Sequence, residues 1–147
     1  PVIARNVEIK AAIVAEDEEE RSGTRALLNF GHTIGHGIEN AAGYGEFLHG
    51  EAISLGIIAA ARLSMQKAGL SQADFDTNVR CLETFSLPTT LPESVPTQRI
   101  IDSLMADKKF AGGQIRFVLT SALGSAFVSH DVTIDDIHKA IEDLRAG

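Results

Sequence analysis

The chain has 147 residues, a hydrophobic content of 44% and a net charge of −7. This length allows one compact core, so we expect a single domain over residues 1–147. The acidic balance argues against nucleic acid as a partner, because phosphates are bound by clustered lysines and arginines. No apolar run reaches the roughly 18 residues of a membrane span, and the first residues lack the pattern of a signal peptide. Cys81 is the single cysteine, so we expect a buried thiol in a cytoplasmic protein.

The first half of the chain is predicted to be helical. Ala, Ile and Leu supply most of its apolar residues, and a composition this poor in aromatics favours packed helices over a β-sandwich. A first helix is predicted over 2–19 and ends in the acidic run EDEEE, which we interpret as a solvated helix end. Thr24 is expected to cap a second helix that continues to about residue 42. The third, over 46–70, is so apolar that it should form the centre of the core.

The second half adds shorter helices and one change of period. Ser71 is a plausible cap for a further amphipathic helix, and the three prolines of PTTLPESVP indicate a loop after it. TQRIIDSLMADKK follows as a short helix, and the alternation in QIRFVLTSALGSAFVSH predicts a small β-hairpin near 114–129. Thr133 is expected to cap the closing helix. The predicted fold is therefore mainly α, with several helices and one hairpin.

Four polar side chains are predicted to share one face of the second helix. At about 100° per residue, Arg25, Asn29, His32 and His36 fall on one narrow stripe, and the apolar residues fall opposite. One side of this helix can then be buried while the other side faces a polar cleft. The two histidines are therefore unsuited to a core role.

The same stripe is a candidate metal site. Two imidazoles one helical turn apart can bind one metal ion, and His49 could fold back across the glycine turn to join His32 and His36. Thr33 stands where a metalloprotease helix places a glutamate, which disfavours peptidase chemistry. Spacing alone leaves the metal prediction open.

Glycines interrupt this predicted helix at positions 31, 35 and 37. Each costs about 1 kcal/mol relative to alanine in a helix interior. We therefore expect a backbone or a ligand to approach the helix closely at these positions.

Cationic residues complete the candidate site. A guanidinium such as Arg25 pairs with carboxylate or phosphate, and the Asn29 amide can orient hydroxyl groups. Lys108 and Lys109 lie in a glycine-containing segment from which they could also reach a ligand, although they equally suit an exposed helix end. These residue types together suit an anionic, hydroxylated small molecule.

The order of these motifs resembles the 3-dehydroquinate synthase family. The resemblance lies in RALLNFGHTIGHGIEN, in GYGEFLHGEA and in DKKFAGGQIRFVLTSALGSAFV. It implies a phosphate lyase of the shikimate pathway, which converts 3-deoxy-D-arabino-heptulosonate 7-phosphate to 3-dehydroquinate with NAD and a divalent metal, usually zinc, with cobalt as an alternative. It also implies a homodimer and an N-terminal NAD-binding α/β domain. We expect that the chain is the C-terminal part, that its start is a cut, and that it is inactive alone.

The resemblance also assigns roles to individual residues. It implies that His32 and His49 bind the metal and that His36 lies near the phosphate and takes part in proton transfer. It implies a site containing further catalytic and substrate-binding residues, namely Lys10, Glu20, Arg25, Asn29, Lys108 and Lys109. No residue is assigned to NAD.

Three other interpretations stay open. A 2-deoxy-scyllo-inosose or valiolone synthase would share fold, NAD and metal, and would differ in the residues that contact substrate. A glycerol-dehydrogenase-like domain is disfavoured by cationic residues that suit a phosphorylated acid. A non-catalytic remnant that keeps the site residues by descent is the third.

Overall fold

The computed structural model describes residues 1–19, 21–43, 45–107 and 115–146. Six α-helices, one 3₁₀ helix and one antiparallel hairpin occur in these ranges, which confirms the predicted mainly α fold. Their bounds in chain order are α1 Val2–Glu16, the 3₁₀ helix Thr24–Asn29, α2 His32–Ala42, α3 His49–Lys67, α4 Gln72–Thr84, α5 Thr97–Ala106, β1 Phe117–Ala122, β2 Ser125–Ser129 and α6 Ile134–Asp143.

Helix α3 lies at the centre of the core, as its apolar sequence predicted. It packs against α2, α4, α6 and β1, and eleven of its residues are buried. The hydroxyl of Ser64 joins α3 to the hairpin, because its oxygen accepts the backbone N–H of Thr120 at 3.0 Å. The largest fully buried side chains from the surrounding elements include Ile34, Ile38, Ile100, Phe117, Leu119, Ile137, Ile141 and Leu144. None of the helices in the described ranges is long and apolar enough to cross a membrane.

The predicted continuous helix from Thr24 to residue 42 is wrong. The chain leaves helical geometry at Phe30, with φ −54° and ψ 126°, and Gly31 has a φ of +77°. A Cβ on Gly31 would lie 2.6 Å from the backbone nitrogen of Ile57, so glycine is required where the chain meets α3. The 3₁₀ helix before the break follows Gly23, and no side-chain cap from Thr24 is present. The predicted close backbone approach therefore exists, but it breaks the helix in two.

Asp17 corrects the interpretation of the acidic run as solvated. Its side chain is buried, and its carboxylate accepts the backbone N–H groups of Arg21 at 2.7 Å, Ser22 at 3.0 Å and Arg25 at 3.2 Å. The hydrogen bond from Ser22 is the largest of the effects that lower the pKa of Asp17 to about 2. Asp17 thus ends α1 and ties it to the start of the 3₁₀ helix.

Of the other local predictions, the two helix caps and the hairpin are confirmed and the burial of Cys81 is wrong. Ser71 accepts a hydrogen bond from the Asp74 N–H, and Thr133 accepts one from the Asp136 N–H, which confirms both caps. The hairpin pairs Phe117 with Ser129 in an antiparallel register. The expected burial of Cys81 is wrong, because the residue lies on the exposed side of α4.

Candidate metal centre and substrate cavity

Three histidines converge where α2 and α3 begin. His32 is the first residue of α2, His36 follows one turn later, and His49 is the first residue of α3. The ring centroids are 5.4 Å apart for His32 and His36, 5.9 Å for His32 and His49, and 5.5 Å for His36 and His49. One nitrogen from each ring lies within 4.8 Å of the other two. The turn after α2 therefore brings His49 back to the pair on α2, as the sequence suggested.

Two of these rings have a hydrogen-bond partner at Nδ1. His32 Nδ1 lies 3.2 Å from the carbonyl oxygen of Phe30, and His49 Nδ1 lies 3.1 Å from Glu39 Oε2. A carbonyl or carboxylate oxygen accepts a hydrogen bond from Nδ1–H, which leaves the Nε2 lone pair of a neutral ring free. Nitrogen donors held in this way suit a divalent ion such as zinc. The donor set thus fits the metal that the resemblance implies.

His36 belongs to the same cluster and is exposed. The resemblance places this residue near the phosphate, whereas the geometry puts one of its nitrogens within reach of the two predicted ligands. A third imidazole at this distance can bind the ion or can exchange a proton with a group beside it. Its role stays a prediction.

A cavity of about 700 Å³ opens beside the histidines. Its lining includes Asn29, His32, His36, Asp107 and Arg116. The predicted polar stripe is thus partly realised, although two separate helices supply it. The volume is within the range of small-molecule sites.

Residues that the sequence pattern did not single out also contribute. Asn40 and Arg116 line the cavity, and Glu39 contacts His49. Arg116 immediately precedes β1 and is the polar residue between Ile115 and Phe117, so its charge is visible in the sequence. Asn40 lies one turn after His36 on α2, so the helical period could have found it. The contact between Glu39 and His49 depends on how closely the turn brings the start of α3 to α2, which the sequence pattern does not specify.

Other predicted site residues lie elsewhere or outside the described ranges. Lys10 is exposed on α1, and neither Lys10 nor Arg25 lines the described part of the cavity. Arg25 lies in the 3₁₀ helix, and its backbone N–H donates a hydrogen bond to Asp17 Oδ2 at 3.2 Å. Glu20, Lys108 and Lys109 lie outside the described residues.

The sequence was compared with models of known protein families, and one of them matches most of the chain. A family model described as 3-dehydroquinate synthase C-terminal matches residues 1–110. The chain belongs to this family. The matched region contains all three clustered histidines as well as Asn29 and Glu39.

Individual relatives agree with the family assignment. The chain is 48% identical over 129 residues to a 3-dehydroquinate synthase from Desulforamulus reducens, covering 88% of this chain and 36% of that protein. It is 45% identical over 143 residues to a 3-dehydroquinate synthase from Vibrio atlanticus, covering 97% of this chain and 39% of that protein. The chain therefore spans less than half the length of these relatives, which are named as enzymes.

Two solved structures of synthases share this fold. The 2-epi-5-epi-valiolone synthase ValA from Streptomyces hygroscopicus, with NAD⁺ and Zn²⁺ bound, has a TM-score of 0.79 at 24% identity and covers 97% of this chain and 39% of its own. A 2-deoxy-scyllo-inosose synthase complexed with carbaglucose-6-phosphate, NAD⁺ and Co²⁺ has a TM-score of 0.79 at 25% identity. The match covers 93% of this chain and 38% of that synthase chain. These neighbours agree with the predicted fold.

Proposed function

We propose that this chain provides the metal- and substrate-binding residues of a 3-dehydroquinate synthase. The reaction would convert 3-deoxy-D-arabino-heptulosonate 7-phosphate to 3-dehydroquinate and phosphate. One observation carries the proposal: three converging imidazoles, two of which line a cavity that also presents Asn29 and Arg116. Membership of the family supports the choice of reaction.

His32 and His49 would hold the divalent metal through Nε2. Their Nδ1 atoms already have acceptors in Phe30 and Glu39, so both rings are oriented before an ion arrives. A bound zinc or cobalt ion would supply Lewis-acid polarisation of substrate oxygens. The two histidines would therefore fix where the hydroxyl groups of the sugar lie.

The remaining residues would bind the substrate and move protons. His36 would lie beside the phosphate and exchange a proton with it, and the Asn29 amide would orient a hydroxyl group. Arg116 would pair with an anionic group, because a guanidinium binds carboxylate or phosphate through two parallel hydrogen bonds. The roles implied for Lys10, Glu20, Arg25, Lys108 and Lys109 remain part of the proposal.

Several properties of the complete enzyme belong to the proposal as well. NAD would carry the hydride, and no residue of this chain is assigned to it. We propose a cytoplasmic homodimer that acts in aromatic amino acid biosynthesis, in which residues 1–147 form one helical domain. Because the chain matches less than half of its relatives, we expect no turnover when it is supplied alone with substrate, NAD and zinc.

The closest competing functions are those of the other sugar phosphate cyclases. The fold is shared with them, but the identity is 24–25% for these neighbours against 48% and 45% for two 3-dehydroquinate synthases. This difference favours the dehydroquinate synthase reaction. A non-catalytic remnant would keep the fold and would bind no substrate.

Ligand binding separates these possibilities without requiring turnover. The zinc-loaded chain would be titrated calorimetrically with 3-deoxy-D-arabino-heptulosonate 7-phosphate and, separately, with carbaglucose-6-phosphate. We expect measurable binding of the heptulosonate and weaker binding of the carbaglucose compound. The reverse preference would identify a different cyclase, and binding of neither compound would favour the remnant.

A further inference from the structure

Glu39 lies on α2, seven residues after His32 and three after His36, and it faces the start of α3. Its Oε2 is 3.1 Å from Nδ1 of His49, ten residues further along the chain. Both side chains are partly exposed, with 57% of His49 and 37% of Glu39 accessible to solvent, so burial alone does not force the two side chains together.

We propose that Glu39 is a positioning residue for the metal centre, acting through His49. The carboxylate accepts the Nδ1–H of His49, which fixes the tautomer and the ring orientation and leaves Nε2 as the donor to a divalent cation. This inference rests on the proposed metal site.

The contact between Glu39 and His49 restricts the rotamers and tautomers of the imidazole. His49 begins a helix after a turn, and a partly exposed imidazole in water samples several rotamers and both tautomers. Only the tautomer with a free Nε2 lone pair can bind an ion through that atom. A carboxylate at Nδ1 selects this tautomer and fixes the orientation of the ring.

His32 has the same arrangement built from a different acceptor. Its Nδ1 lies 3.2 Å from the Phe30 carbonyl oxygen, a backbone group fixed by the break before α2. His49 has no contact with a backbone acceptor among those that the structure describes, and a side chain from the neighbouring helix takes that place. The two predicted ligands therefore each have a hydrogen-bond acceptor at Nδ1, a backbone carbonyl for His32 and a side-chain carboxylate for His49, and both acceptors leave Nε2 free for a metal ion.

Glu39 itself is outside the ligand cluster. Within the described residues, the atoms that lie within 4.8 Å of one another come from the three histidines and not from Glu39. Its effect on metal binding should therefore disappear when His49 is replaced. Direct binding of the ion by Glu39, or general attraction of cations by its charge, would not depend on His49.

The test measures zinc affinity of the full chain by competition with a chromophoric chelator. Glu39→Ala should weaken zinc binding roughly 10- to 100-fold, the usual effect of losing an outer-shell partner of a metal ligand. Glu39→Gln should restore most of the affinity, because its amide oxygen still accepts from Nδ1–H. Glu46→Ala is the matched control, since it removes the same charge from an exposed position in the turn before α3.

A double variant shows whether the effect passes through His49. When His49 is already alanine, Glu39→Ala should cause no further loss of zinc affinity. A metal-free readout is the tautomer of His49, measured by long-range ¹H–¹⁵N NMR at a pH where the ring is neutral. Wild type and Glu39→Gln should show the Nδ1–H form, and Glu39→Ala should shift towards Nε2–H.

The outcomes distinguish this inference from the proposed function. If wild type binds zinc, and His32→Ala and His49→Ala each weaken binding while Glu39→Ala does not, the metal site stands and the positioning role is overturned. An equal loss in the alanine and glutamine variants, or in Glu46→Ala, would also overturn it, because charge alone would then explain the effect. If wild type binds no zinc, both the metal site and the role of Glu39 are wrong.

Discussion

Gly56 of α3 lies directly against Gly31, and a Cβ added to Gly56 would be 2.0 Å from the Gly31 carbonyl oxygen. The same Cβ would lie 2.6 Å from the backbone nitrogen of Gly35. Because these neighbours are backbone atoms, no rotamer change can relieve the clash. The absence of side chains at these glycines thus lets the start of α2, which carries His32 and His36, lie directly against α3.

Gly56→Ala should therefore destabilise the chain and displace the histidines. Overpacking of this kind costs about 1–3 kcal/mol and can cost more where backbone must move. Urea unfolding would measure the loss, and zinc affinity should fall with it. Gly50→Ala on the same helix is the control, because a Cβ there meets no atom within 4 Å. Wild-type stability in Gly56→Ala would show that α2 and α3 are less closely packed than described.

Asp17 should make stability depend on pH in the acid range. Its folded pKa of about 2 is below the ordinary value of 3.8, so the ionised carboxylate stabilises the folded chain above about pH 4. This contribution is lost as the pH falls towards 2. Asp17→Asn should lower stability at neutral pH, since an amide nitrogen would replace the oxygen that accepts from Arg25, and should flatten the pH profile between 4 and 2.

The control for this experiment is Glu18→Gln, which changes the net charge equally at an exposed neighbouring position. The pKa values of Asp136 and Glu142 are also lowered, by hydrogen bonds from Lys67 and Thr97 respectively, so part of the acid dependence should persist in Asp17→Asn. Identical pH profiles for wild type and Asp17→Asn would contradict the assigned role of Asp17.

Arg116 should contribute to binding an anionic substrate without contributing to metal binding. We expect Arg116→Ala to weaken binding of the phosphorylated heptulosonate about tenfold or more, the loss typical of a hydrogen bond to a charged group. Calorimetry on the zinc-loaded chain would measure it. Arg99→Ala, an exposed arginine of α5 that does not line the cavity, is the matched control. Equal losses of affinity in both variants would show that the overall charge of the chain, and not a contact with Arg116, determines substrate binding.

Local chemistry made much of the fold predictable. Ser71 and Thr133 cap their helices because a hydroxyl oxygen can satisfy a free N–H group within three residues, which is visible in sequence. The hairpin follows from alternation around a turn at Gly124, and the central position of α3 follows from its continuous apolar surface. Each of these features depends on neighbours in the chain.

Features that depend on tertiary contacts are not visible in the sequence pattern. The helix break before His32 lies where Gly31 meets the backbone of α3, a tertiary contact that helical periodicity does not contain. Asp17 resembled its acidic neighbours, and only the folded turn brings three N–H groups to its carboxylate. Cys81 is exposed and not buried as expected, because a small apolar side chain fits either side of α4. The convergence of His49 on α2 was anticipated, whereas its contact with Glu39 was not.

The most direct test of the histidine cluster is zinc K-edge X-ray absorption on the chain loaded with one equivalent of Zn²⁺. We predict nitrogen scattering at about 2.0–2.1 Å with the outer-shell pattern of at least two imidazoles. The imidazole pattern should disappear when His32 and His49 are both replaced by alanine. Sulfur scattering from Cys81, or an unchanged spectrum in the double variant, would contradict the assignment of these histidines as the metal centre.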